Sequence, residues 1–590
     1  MGKKSNTLLL TLITLIALLI ALYATPIRAS LLFMGSVLVL IGGEVITVDD
    51  FLAGFANKQI VTIFLLVMVS IGLKRWVGEE LLTRVFKREA SPRNFLWQMM
   101  ATVGSLSAVL NNTPIVAFAI PMVRDWCRDT GHSPSRFLMP LAYITTLGGM
   151  ITVVGTSTNL VLNGLIMDHG QPGLSFTHFL YPGLAVFLIG MLYLYTIGYR
   201  LLPQQSAQVT DMAATAQQYI IETRVKTNAS IAGQTVEEAG LRHLKDMFLV
   251  ELVRGDTVIT PVSPREVIQA GDTLFFAGNT DAIYDLIKKD NGIVLPDQHA
   301  ITEKQHFHFA EAVVPVNSTL DGKQVKDTNF RNIFNASIVA IRQRDGVRIT
   351  EGIGHTVLHS GDVLLLLSAA PNTRRHGDLL FLSQKDRAIP PMPSGWMAKV
   401  GGVAGILLLM GGISGVLDLF IAAILSIMVL YATNLVNYKE IKESIDLDML
   451  ILLVASLAIG TAILNAGLGD TLSDLLLGWM HGLPILASVA ALFATTVLLT
   501  SIITNVAAVA MMFPVALAMS EQLSVPAAPF FVTIAFGASC AFLTPISYQT
   551  NLMVMGPGNY TFRDYFRVGL PLTLVYGSVV MTVVALMFGI

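Results

Sequence analysis

The sequence predicts a mainly α-helical polytopic membrane protein in two related halves, each with a re-entrant hairpin and a broken helix, around a soluble insert. Three observations predict it. Of 590 residues, 53% are hydrophobic and only 13% are charged, against about a quarter charged in a soluble protein. The deficit is uneven: residues 204–397 have the make-up of an ordinary soluble chain, and the flanks are apolar. Within each flank, two polar interruptions recur at matched spacing.

In chain order, apolar segments fall near 7–24, 28–43, 56–73, 94–123, 137–167 and 175–199, then 398–415, 416–433, 449–467, 484–520, 522–562 and 568–589. The first follows Lys3 and Lys4 as a signal peptide would. It lacks a small-x-small cleavage site and a second apolar run follows at once, so it reads as a retained span. A spanning helix needs about 20 apolar residues. Segments 94–123 and 484–520 are too long for one pass and polar at the middle, from Ser107 to Thr113 and from Thr500 to Asn505. That pattern predicts re-entrant hairpins, whose irregular tips survive only where they are buried in protein or line a cavity. Segments 137–167 and 527–556 break at Gly155-Thr156-Ser157-Thr158-Asn159 and from Thr544-Pro545 to Asn551, and read as discontinuous helices.

Lys and Arg in short loops set orientation. Lys74, Arg75, Arg84, Lys87, Arg88 and Arg93 precede the first hairpin, and Arg124, Arg128 and Arg136 follow it, so it enters from the cytoplasm. Asp470, Asp474 and Glu521 flank the second, which enters from outside. With Lys439, Lys442, Arg563 and Arg567 inside, the halves are inverted and the insert is cytoplasmic. The N-terminus then falls outside, against the preference of Lys3 and Lys4.

The repeat is legible in letters. Ser107-x-x-x-Asn111-Asn112-Thr113 matches Thr500-x-x-x-Thr504-Asn505-Val506, and Thr158-Asn159-Leu160 with Gly164 matches Thr550-Asn551-Leu552 with Gly556. Asn112 to Asn159 is 47 positions and Asn505 to Asn551 is 46. The insert also looks duplicated: Asn228-Ala-Ser-Ile-Ala-Gly matches Asn317-Ser-Thr-Leu-Asp-Gly, and Gly271-Asp-Thr-Leu-Phe-Phe matches Gly361-Asp-Val-Leu-Leu-Leu. Two small α+β domains are expected, bounded by a linker at 204–218 and an exit at 387–394. The division is 1–203, 204–300, 301–397 and 398–590.

A helix broken in mid-membrane frees N–H groups at one half-helix start, which favour an anion, and C=O groups at the opposing end, which can coordinate Na⁺. Asn, Ser and Thr supply oxygens as well as donors. No Lys or Arg occurs in the hairpins or broken helices, so bound cations rather than protein charge would offset an anion, and binding would depend on the cation. No acidic residue there could relay protons.

Other features weigh less. Cys127 and Cys540 read as packing residues, His306 and His308 as strand residues rather than ligands, and Trp76, Trp97 and Trp396 as interfacial anchors. Asp418 reads as a loop residue between spans, and 44–50 as a solvated connection. The net charge of −2 points to no partner, and nothing points to nucleic acid. No nucleophile–base set or metal cluster points to an enzyme.

At the paired motifs the chain resembles the divalent anion/sodium symporter family of the ion transporter superfamily, which carries Ser-Asn-Thr at both hairpin tips. Here Asn112 and Asn505 keep the central Asn, the first position varies, and Val506 loses a hydroxyl. The resemblance implies Na⁺ sites at Ser107, Asn111, Asn112 and Gly155 and at Thr500, Thr504, Asn505 and Ser547, with substrate contacts at Asn112, Thr113, Thr156, Thr158 and Asn505. It also implies homodimers, in which the hairpin-bearing part moves as an elevator. The insert resembles a tandem pair of TrkA-C (RCK-C) domains, on which a small-molecule regulator could act, and symporters with this insert resemble a sulfate-transporting branch. No Gly-x-Gly-x-x-Gly follows a strand, so no dinucleotide site is expected. The expectation is a Na⁺-coupled transporter of a small anion in the cell's inner (plasma) membrane, sulfate before dicarboxylates. A membrane anion sensor signalling through the insert is the rival of another class. A potassium channel ranks last, lacking a Thr-Val-Gly-Tyr-Gly filter.

Overall fold

The computed structural model describes residues 2–590 apart from 26–28, 86–90, 204–219, 242–243, 245–246, 256, 260–261, 279–291, 295–307, 316–317, 335, 344–346, 350–352, 369–378, 382–395, 444–446 and 480–483. The expected linker at 204–218, the exit at 387–394, His306, and the side chains of Lys74, Arg75 and Trp76 lie outside what it describes.

The flanks are helical. Among the described residues, five helical stretches are long and apolar enough to cross a membrane: Val48–Leu73 (two successive helices, Val48–Phe55 and one from Lys58), Phe176–Leu201, Trp396–Ile413, Leu447–Asn465 and Phe562–Phe588. Shorter apolar helices include Ala29–Gly42 and Leu419–Ala432. Segment 94–123 folds as the helices Pro92–Ser107 and Asn112–Thr130, and segment 484–520 as Ile485–Thr500 and Asn505–Gln522. The broken helices are Leu138–Gly149 with Ser157–Asp168, and Ala528–Ala538 with Gln549–Gly558. Each flank thus runs from hairpin to broken helix to long closing helix, and the elements pack into one apolar core.

Two connections are more ordered than their composition indicates. The acidic stretch after Gly43 is closed by a capping box, Thr47 with Asp50, which starts the helix Val48–Phe55; the box satisfies free N–H groups at both ends. The stretch carrying Asp470 and Asp474 is a helix, Leu468–Trp479. Leu472 and Leu476 recur one turn apart against the core, and Asp470 sits in the first turn, where a carboxylate suits the helix dipole. Asp418 caps Leu419–Ala432 by accepting from the Phe420 and Ile421 N–H groups, and pairs with Lys58 at 2.7 Å. Cys127 and Cys540 are buried thiols. Trp97 and Trp396 are exposed.

The insert forms two five-stranded antiparallel sheets. In the first, the order is Thr257–Ile259, Met247–Arg254, Thr273–Gly278, Ile220–Val225, Ile293–Val294; in the second, Arg348–Ile349, Ser337–Arg342, Val363–Ser368, His308–Val313, Leu380–Phe381. The topology is identical, and the bulge recurs, between Leu249 and Glu251 and between Ile338 and Ala340. The repeated Gly-Asp turns have one cause: Gly271 and Gly361 sit at φ +89° and +93°, where glycine is unstrained, and donate to the Val225 and Val314 carbonyls at 2.9 and 2.8 Å. Among the described residues helix is scarce here, limited to Phe330–Phe334 and short 3₁₀ turns, so the described part is more β than the α+β expectation.

At the bulge the sheets differ. Glu251 is 2% exposed, and its Oε2 has no hydrogen-bond partner among the described residues; Ala340 occupies the corresponding position in the second sheet. Burial pushes the Glu251 carboxyl up from 4.5 to about 7. A carboxyl raised by folding favours the fold fully below its unfolded pKa, and this contribution fades as pH rises through the folded one. Stability should therefore fall between about pH 4.5 and 7, by roughly 3 kcal/mol. Thermal melts across this range should show E251Q stabilised at pH 8 and little changed at pH 4; parallel pH profiles would contradict the assignment.

Candidate functional site

Each half joins its hairpin tip to its broken helix by the same bonds. The Ser107 hydroxyl lies against Asn112 Oδ1 and 2.7 Å from the Thr145 carbonyl. The Thr500 hydroxyl lies 2.9 Å from the Asn505 amide and 2.7 Å from the Ala538 carbonyl. In both halves the hydroxyl precedes the Asn by 5 positions and the carbonyl by 38. A hydroxyl has one proton, and that of Thr500 goes to Ala538. The Asn505 amide, oriented by its hydrogen-bond partners, then turns its nitrogen to Thr500 Oγ1 (2.9 Å) and to the Ala538 and Ser547 carbonyls (both 3.2 Å).

The broken helices are braced alike. Asn159 Nδ2 donates to the Thr152 carbonyl at 3.2 Å, and Asn551 Nδ2 to those of Ala541 and Thr544 at 2.7 and 3.3 Å. Both leave Oδ1 without a partner among the described residues. The Thr152 hydroxyl reaches back to the Ala108 carbonyl at 2.5 Å, and that of Thr544 to Ser501 at 3.4 Å. Carbonyls of the interrupted backbone thus find side-chain partners, as a break in an apolar interior requires.

Close backbone approach shapes the first site. A Cβ on Gly149 would lie 2.7 Å from Asn112 Oδ1 and 3.1 Å from the Gly155 carbonyl; one on Gly155 would strike the Gly149 carbonyl and sit 2.8 Å from that of Ser107. Asn112 Oδ1 and the Gly155 carbonyl therefore crowd Gly149, and the Gly149 and Ser107 carbonyls crowd Gly155, with the Ser107 hydroxyl against Asn112. Uncharged oxygens converging in this way suit a hard cation. In the second half Thr500 and Ser547 likewise gather around Asn505, which presents its amide nitrogen to them rather than its oxygen. Of the remaining candidates for Na⁺, Thr504 is exposed and caps its helix by accepting from the Ala507 N–H at 3.3 Å. Asn111, its counterpart, makes no side-chain cap.

The two halves meet at a tyrosine. Asn112 Nδ2 donates to Tyr548 Oη at 2.9 Å, and the Thr156 hydroxyl lies beside the same group. Thr113 Oγ1 donates to Gln549 Oε1 at 3.1 Å, and the Thr156 hydroxyl lies 3.4 Å from that of Thr158. The expected substrate contacts of the first half are thus gathered around Tyr548, whereas Asn505 sits on the second bracing set. Tyr548 and Gln549 lie outside the residues assigned from sequence. The signal was present: the break motifs align Tyr548 with Thr156, and both cap a half-helix in extended conformation, at φ −148° and −138°.

Paired hairpins, paired broken helices and a charge-free polar centre define a multi-pass membrane transporter. The citrate transporter family model matches residues 8–412 and 405–589, and the chain belongs to that family, within the ion transporter superfamily. It is 33% identical over 94% of its length to a Chlamydomonas reinhardtii protein named "Putative sulfur deprivation response regulator", covering 97% of it. It is 24% identical to sodium/sulfate cotransporter 1 of the same organism, over 90% of this chain and 84% of that one. The YdaH transporter structure of Alcanivorax borkumensis aligns over 91% of this chain and 87% of its own, at 11% identity and a TM-score of 0.44, too loosely to compare sites. The family match and the sodium/sulfate cotransporter relative fit a transporter of the anion/sulfate kind.

The crowding at the first break is testable. G155A should lower stability in detergent by about 2 kcal/mol, as overpacking does. G35A, with open space around its Cβ, should melt like the unaltered protein. Equal melting temperatures for the two variants would contradict the described packing.

Proposed function

We propose that the chain is a Na⁺-coupled secondary active transporter of a small divalent anion, sulfate before dicarboxylates, with an elevator-type movement of the hairpin-bearing part. The observation that carries this reading is the charge-free pair of braced breakpoints. The anion rests on Asn112, Thr113, Thr156, Thr158 and Asn505. One Na⁺ is held around Ser107, Asn111, Asn112 and Gly155, the other around Thr500, Thr504, Asn505 and Ser547. The cations supply the charge that the protein withholds, so anion binding follows Na⁺.

Two halves of inverted topology, 1–203 and 398–590, with a cytoplasmic TrkA-C-like pair at 204–300 and 301–397, accommodate the identical bracing spacings and the doubled sheet. The functional unit is a homodimer in the inner membrane, with the insert open to a small-molecule regulator. Sulfate is favoured by the sodium/sulfate cotransporter relative and by Val506, which leaves one side of the pocket without a hydroxyl. The citrate transporter family keeps dicarboxylates as the second substrate class. A membrane anion sensor is a second reading, favoured by the name of the sulfur deprivation relative.

Purified protein in liposomes should accumulate sulfate when an inward Na⁺ gradient is imposed and not when K⁺ replaces Na⁺. N112A and N505A should each reduce uptake to background while eluting as the unaltered protein does. Uptake indifferent to Na⁺ rejects coupling, full activity in either variant rejects the site, and Na⁺-dependent binding without flux favours the sensor.

A further inference from the structure

The two sheets of the insert are alike in topology and unlike in use. In the second, Glu311 forms a 2.6 Å ion pair with Arg124 on the outgoing helix of the first hairpin, and both side chains are largely buried, at 14% and 16% exposure. Burial alone would raise the Glu311 carboxyl; Arg124, with Arg342 and Arg128 nearby, instead holds it below the usual carboxylate range. Arg342 donates to the Gly556 carbonyl at 2.9 Å, in the last turn of the helix Gln549–Gly558. Beside that bond the backbones nearly touch: a Cβ on Gly556 would lie 2.5 Å from the Gly361 carbonyl and 2.8 Å from Val363. Val313, Val339, Val363 and Leu365 of this sheet join the apolar core of the membrane part.

Phe275 of the first sheet also packs against that core, but among the described residues the polar contacts above have no counterpart there. The counterpart of Glu311 is Glu222, raised by burial with Arg224 opposing. Val253 stands where Arg342 does, by register. Its arginine, Arg254, is engaged within its own unit by Asp272 at 2.9 Å, and Gly271, the counterpart of Gly361, has open space.

The helices held by the second sheet also carry the candidate site. Asn112 and Thr113 begin the helix of Arg124, about 18 Å from it along the axis; Tyr548 caps and Gln549 begins the helix of Gly556, about 10 Å away. Those near ends are bonded to each other through Asn112–Tyr548 and Thr113–Gln549. One pair of helices is therefore tied at one end by the site and at the other by the insert.

We propose that the second sheet sets the spacing and tilt of this helix pair, making Arg124, Glu311 and Arg342 positioning residues of the anion site. The flux readout rests on the function proposed above. Rigid helices transmit a displaced end, so whatever shifts the second sheet, a ligand included, shifts anion affinity.

The test uses the full chain in liposomes and, separately, hydrogen–deuterium exchange in detergent. E311Q and R342Q should raise the half-saturating sulfate concentration by about tenfold, within the usual range of coupling between sites, with the maximal rate changed less than about twofold. R124Q should do the same and R124K should restore the unaltered value; R124Q/E311Q should cost no more than the worse single variant, because no lone charge stays buried. Exchange at 108–113 and 544–549 should quicken in E311Q without any substrate. Unchanged half-saturation and exchange, even with a lowered melting temperature, would reduce these contacts to structural ones and overturn the proposal. If the unaltered protein carries no sulfate, the functional reading falls, and the exchange result alone decides the inference.

Discussion

An interrupted helix inside an apolar body has amide and carbonyl groups that no solvent can satisfy, and this structure meets the difficulty by pairing its interruptions. The hydroxyl of Ser107 or Thr500 lies between an asparagine amide on its own hairpin and a carbonyl ending the neighbouring half-helix. Asn159 and Asn551 close the other side of each break. Because neutral groups do this bracing, the polar centre forms without buried charge, whose desolvation is costly. The glycines, the short half-helices and the close packing of hairpin on broken helix follow from it.

The halves solve the same problem with different chemistry. The Asn112 amide directs its nitrogen across to Tyr548, whereas the Asn505 amide directs its nitrogen to Thr500, Ala538 and Ser547 within its own half. Thr113 finds Gln549; Val506, at the matching position, is buried. The first tip therefore contributes hydrogen-bonding groups to the contact between halves, and the second contributes an apolar wall beside its own bracing.

Much of this was legible in the letters because polar groups in apolar helices are costly and stand out. The hairpins, the broken helices and the asparagines that brace them were all marked by interruptions in otherwise apolar runs. What stayed hidden had no such contrast. The helix Leu468–Trp479 carries acidic residues that read as a loop, though its leucines recur at helical spacing. Tyr548 falls at the broken-helix turn that matches Gly155-Thr156, but nothing local marks it as the partner of Asn112. The Arg124–Glu311 pair spans 187 positions, and neither residue carries a local sign of the other. The insert's repeat was visible in its Gly-Asp turns, since a left-handed turn demands glycine; its strand order was not, because pairing is decided between distant segments.

The near-contact of Gly556 with the Gly361 turn has a consequence for how such proteins can be recombined. Two main chains this close leave no room for a side chain at Gly556, so the insert and its host are fitted to each other at the level of backbone. A chimera that grafts this insert onto another transporter will seat it only if the receiving helix ends in a residue as small as Gly556. The soluble part is interchangeable in sequence order but not in shape, and its boundaries for any transplant run through the membrane part rather than at the linkers.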